Sequence, residues 1–164
     1  MAQTELHKYT VAEKLNKMDV DLITVTPTVQ NSDTDAAGDL LFDSLEIENA
    51  VAVSGGSGIL QSVNVFHKGD QNVSFDLLFF QVTKDLGAAG AALTWGGSSE
   101  TDNADAAVLL VDVQIATKTN IGLVLKAAEG TKSIFCAAVC RGAASGAHGA
   151  TSGNILVRLG IVKD

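Results

Sequence analysis

Three residue types that often carry structure or chemistry are scarce in this chain, which has one Pro, one Trp and two Cys among 164 residues. Two cysteines exclude the disulfide scaffold of small secreted domains. Cys136 and Cys140 cannot bridge each other, since four positions along a segment (133–141) that reads as a strand separate their Cα atoms by about 13 Å. A disulfide needs about 7 Å or less. They share a face with Ile134 and Ala138 and are read as small buried hydrophobes. Basic residues are also few, 11 Lys and Arg against 19 Asp and Glu, a net charge of −8. They are scattered, so the stripe that grips a phosphate backbone is missing and no nucleic acid is expected as partner. No apolar run approaches the roughly 20 residues of a membrane helix. The opening MAQTELHKYT lacks the basic start and apolar centre of a signal peptide, so neither a membrane nor Sec-type export is expected.

What is present is apolar and weakly charged: 46% hydrophobic and 18% charged residues, a composition that folds around one core. The organisation is read as an arm over residues 1–20, containing a short helix, followed by a β-sandwich over 21–164. In the arm, Thr10 followed by Glu13 has capping-box spacing, and Val11, Leu15 and Met18 recur on one helical face. So short an amphipathic helix is marginal alone and must dock on its own domain, a sister subunit or another protein.

From Asp21 onward the pattern changes to period two. Leu22 to Val29 reads as a strand, placed at a sheet edge or bend by Pro27, which cannot donate a ladder hydrogen bond. Residues 45–53 and 59–66 flank Ser54-Gly-Gly-Ser-Gly58 and read as a hairpin, with Ile59, Gln61, Val63 and Val65 on one face. Residues 73–82 are apolar on both faces, which predicts cover from a second sheet and from a helix or neighbouring subunit. Further strands are read at 107–115, 120–127, 133–141 and 154–162, with a short one at 91–95. Eight or nine strands separated by Gly and Asp turns predict an all-β fold: an antiparallel β-sandwich, jelly-roll-like in form.

Motifs for chemistry fail one by one. Gly130-Thr131-Lys132-Ser133 has the wrong order for a phosphate loop and precedes a strand. Asp33, Asp35 and Asp39 with Gly38 echo a calcium loop, but Ala37 and Ser44 occupy ligand positions. Asp102 and Asp105 form a similar weak cluster, and Ser57 has neither the elbow spacing nor a base. His7, His67 and His148 have no metal-ligand spacing, and His67 and His148 read as loop residues. No catalytic, cofactor or metal residue is assigned, and the chain is read as a non-enzyme.

One resemblance spans most of residues 43–164. The turn and strand GGSGILQSV (55–63), the strand FDLLFF (75–80), the strand NIGLVLKA (120–127) and the closing Val157-Arg158-Leu159-Gly160 follow one another in an order that resembles the head decoration, or capsid cement, proteins of tailed bacteriophages. That resemblance implies a β-sandwich made in the host cytoplasm. It would assemble as a homotrimer on the outer surface of an icosahedral phage head, where it would bridge major capsid protein subunits. A lattice-bound part gains from avidity, since repeated weak contacts add. The residues expected to dock on capsid or sister subunit are Leu6, Tyr9, Val11, Leu15 and Met18. The alternative from another class is a carbohydrate-binding β-sandwich of a tail or fibre with Trp95 stacking on the sugar, against which the 5% aromatic content counts.

Overall fold

The computed structural model describes residues 19–29, 36–67, 74–94, 109–113, 118–142 and 155–163. Eight strands lie within them: β1 (Asp19–Val25), β2 (Leu40–Ile47), β3 (Ser57–His67), β4 (Phe75–Phe80), β5 (Leu109–Val113), β6 (Lys118–Lys126), β7 (Ile134–Cys140) and β8 (Ile155–Lys163). The helix expected in the arm lies outside the described residues. β1 begins at Asp19, two positions before the expected start of the sandwich.

The pairing is that of a folded ribbon. β4 and β5 form its tip, and β3 with β6, β2 with β7 and β1 with β8 continue back along it, every pair antiparallel. Rolling the ribbon brings β3 beside β8 and β4 beside β7. Successive pairs thereby fall in opposite layers, giving sheets ordered β1-β8-β3-β6 and β2-β7-β4-β5. This is a β-sandwich with jelly-roll connectivity, as the spacing of strands and turns predicts.

Period-two alternation fills the space between the layers. On β8, Ile155, Val157, Leu159 and Ile161 are buried, while Leu156, Arg158 and Val162 between them face outward and are only partly covered. They meet Phe42, Ile47, Phe75, Leu77 and Phe79 of the opposite sheet in one core. At about 25 cal/mol per Å² of apolar surface, such a core supplies the dominant folding term.

The structure corrects the sequence reading in several places: the strand read at 45–53 runs instead over Leu40–Ile47, and the described part of the strand read at 91–95 holds only an isolated bridge between Asp39 and Ala92. Residues 45–53 and 59–66 do not form a hairpin: β2 and β3 lie in different sheets, and the segment between them bonds to the β6–β7 connection through Val51 N to Lys132 O (3.2 Å) and Gly55 N to Thr131 O (2.9 Å). Alternation marks a strand but not its partner, and Gly55, at φ 68°, makes the turn with a backbone other residues avoid. The faces of β3 also change phase. Leu60, Val63 and Val65 are buried together and Ile59 faces outward, because the pairing shifts between Leu60 and Ser62. A bulge there leaves two consecutive residues on the outer face. Finally, β4 is covered on both sides as expected, but the outer cover is neither a helix nor a subunit. It is the chain's own segment 81–94, which lays Leu86 and Leu93 over Leu40, Leu78, Phe80 and Ala137.

Pro27 proves a fair guide to position, since β1 is an edge strand and ends two residues before it. The other edge of that sheet is broken: Asn120 (φ 57°) and Gly122 (φ 69°) on β6 lie where the ladder with β3 shifts. A kinked edge resists adding a foreign strand.

Candidate functional site

The five residues expected to dock, Leu6, Tyr9, Val11, Leu15 and Met18, lie outside the described residues, as do Trp95, His148, Asp33 and Asp35. Among the described residues, no three His, Cys, Asp or Glu side chains group as a metal site. Asp39 is engaged locally, its Oδ2 accepting from Ala36 N at 2.6 Å. Ser133 N donates to Thr131 Oγ1 at 3.0 Å and leads directly into β7, the strand context expected of the Gly130–Ser133 turn. Cys136 and Cys140 are both buried, and burial pushes the Cys136 thiol up to about 12. A thiol held neutral in this way is a packing group rather than a nucleophile.

The feature that distinguishes the surface is a contrast between the two sheets. The outer face of β2, β7 and β4 is covered by segment 81–94, which is tied down at several points. Leu40 N donates to Ala91 O (2.8 Å), Gly90 N to Leu40 O (2.7 Å) and Leu93 N to Gly38 O (2.9 Å). Side chains of β2 add to this: Ser44 Oγ accepts from Lys84 N (3.2 Å) and Asp43 Oδ1 from Leu86 N (3.4 Å). Beside the strap, Asp76 Oδ1 on β4 forms an ion pair with Arg141 Nε at 2.6 Å.

No described segment covers the outer face of β1-β8-β3-β6. The cross-strand register sets Val20 opposite Val162, Val162 opposite Ile59 and Ile59 opposite Val124, so a single row of branched apolar side chains crosses all four strands. At its two ends Val20 is 67% and Val124 65% exposed. Leu22, 60% exposed, stands one outward position along β1. Its neighbours across the sheet are Gly160 and Ser62, small residues that leave the surface low beside it. The far end of the face is more polar. Arg158 lies over the Phe66 ring at 5.5 Å, and its Nε reaches Thr24 Oγ1 at 3.4 Å.

Charge is distributed to match. On β1 the carboxylate of Asp21 turns from this face toward the sandwich, where it pairs with the buried Lys163 ammonium. Among the described outward positions of the sheet the charged residues are Arg158 and Lys126, with no carboxylate, on a chain of net −8.

Sequence reasoning missed this face, although a signal existed. Val20 and Leu22 stand in alternation with Ile23 and Val25, and Leu156 and Val162 in alternation with the buried β8 residues, so β1 and β8 are apolar in both phases, just as β4 is. Comparisons with family models, curated proteins and solved structures find no match to this chain.

Proposed function

We propose that this chain is a structural virion protein, a capsid decoration or cement protein that binds the outer surface of a phage head as a homotrimer and stabilises contacts between major capsid protein subunits. The observation that carries this reading is the contrast between the two outer faces. One is covered over β2, β7 and β4 by the chain's own strap, whereas the other presents an apolar row across four strands. A domain so built works through an assembled surface rather than a pocket. The jelly roll agrees, being a frame used for viral capsid domains, although a fold alone does not assign a role. Three of the four stretches that resemble the cement family, those within β3, β6 and β8, belong to the sheet with the open face.

The function asks for no catalytic step. Each contact with the lattice is weak, and repetition over the head supplies the strength. The test is the copy number of this chain in purified particles, relative to the major capsid protein, by quantitative mass spectrometry. A near-stoichiometric ratio is expected. A handful of copies per particle, or none, overturns the proposal.

A further inference from the structure

Among the described residues Lys163 on β8 is the charged side chain that is buried, 7% exposed, and its ammonium meets a carboxylate oxygen of the neighbouring strand, Asp21 Oδ2. The register explains the meeting. Asp21 lies opposite Ile161, so Lys163 is its diagonal neighbour two positions along β8, within reach of a long side chain. On the β3 side Lys163 stands opposite Gly58, which has no side chain to compete for the amine. We propose that Lys163 and Asp21 are joined by an isopeptide bond, an amide between Nζ and Cγ that ties β8 covalently to β1.

The two side chains balance the reaction by themselves. One ammonium proton passes to the carboxylate, and the freed amine attacks Cγ. The Nζ–Cγ bond forms, a Cγ–O bond breaks, and the oxygen departs as water with two of the three ammonium protons, leaving one on the amide. No oxidant or co-reactant enters. Three features favour the bond over the ion pair. Amine and acid are held in contact, which replaces a bimolecular encounter with a local step. Burying a charge is costly and the amide carries none, so the burial of Lys163 favours the product. The Asp21 side chain is 47% exposed, so the released water passes directly to solvent. Arg141 and Asp76 have no such route, since a guanidinium stays protonated and is no nucleophile.

The place of the bond gives it a purpose. β1 is an edge strand whose neighbour in the sheet is β8, so a single ladder holds it. A covalent tie stops that edge from peeling. The linked residues are 142 positions apart and lie on the first and last described strands, so the bond closes nearly the whole domain into a ring. Cross-links that close long loops restrict the unfolded chain most. The bond thereby secures the strand that starts the apolar row at Val20, and its formation needs neither a capsid nor a second chain.

The experiment is intact-mass spectrometry of the purified full chain, followed by trypsin digestion and peptide sequencing. The chain is expected to weigh one water, about 18 Da, less than its sequence. Digestion should yield one branched peptide joining residues 18–68 to residues 159–164 through Asp21 and Lys163, with no cleavage after Lys163. An unreduced mass overturns the proposal and leaves the pair as an ion pair only. Full-length Lys163→Arg, which keeps the cation beside Asp21 but not the primary amine, and full-length Asp21→Ala are expected at the full mass of their sequences, with far-UV circular dichroism to show that each is folded. A water loss that persists in either variant, or that maps to a ring closed within a single aspartate, overturns the proposal as well. The wild-type mass and the branched peptide decide the matter even where a variant fails to fold.

Discussion

Gly160 on β8 and Ser62 on β3 face each other across the open sheet, so close that a Cβ on Gly160 would clash with Ser62 Oγ. Gly160→Ala therefore forces the serine hydroxyl into another rotamer, at a cost of about 1 kcal/mol. The next atom, Ser62 Cβ at 3.7 Å, is at ordinary contact distance. The same substitution in a Ser62→Ala background is expected to be nearly neutral. Urea midpoints of the four proteins of this cycle give the coupling, and additivity would show that the contact is not the cause.

Leu86 is the main apolar anchor of the strap, 2% exposed beside Leu78 and Phe80. Leu86→Ala should cost about 2 to 4 kcal/mol, since truncating a buried leucine removes transfer energy and leaves a cavity. It should also bare the second sheet, raising binding of a hydrophobic dye under native conditions. Loss of stability without dye binding would show that the strap holds without its anchor.

Arg141 neutralises Asp76, whose neighbour in the register across β4 and β5 is Asp112. Removing the guanidinium leaves the Asp76 carboxylate, whose side chain is only 19% exposed, without the cation it faces. The arginine is 44% exposed, so screening keeps the effect modest, about 1 kcal/mol for Arg141→Ala. Asp76→Asn in that background should recover part of it, as read from thermal midpoints.

Cys136 ionises in the unfolded chain near its ordinary value of 9.0 but is pushed to about 12 by burial. Its raised value means that the unfolded state loses a proton first. The thiol's contribution is complete below pH 9 and falls as pH rises from 9 toward 12, by up to about 1.4 kcal/mol per pH unit. Denaturant titrations from pH 8 to 10.5 should show a downward slope that is shallower in Cys136→Ala. Equal slopes would place the thiol in contact with solvent.

On the proposed function, the arm bears on attachment and not on the body. Residues 19–164 should keep the β-sandwich circular dichroism and melt within about 0.5 kcal/mol of the full chain measured as a monomer. Their co-sedimentation with capsids should be weakened or abolished. Undiminished capsid binding would remove Leu6, Tyr9, Val11, Leu15 and Met18 from the docking surface.

Much of this protein was determined locally. Alternation along β8, two-phase burial of β4, the edge position of β1 before Pro27 and the burial of both thiols follow from which residues adjoin which along the chain, because side chains on a strand leave in turn to opposite faces. Tertiary structure alone decided the rest. Strand partners depend on contacts between residues far apart in sequence, so the apparent hairpin of 45–53 with 59–66 was divided between two sheets. The phase of β3 turned on a bulge that only a paired strand reveals. The open row is the clearest case: Val20, Ile59, Val124 and Val162 come from four separate strands and become one surface through register, while the strap that could have covered it closes over the other sheet instead.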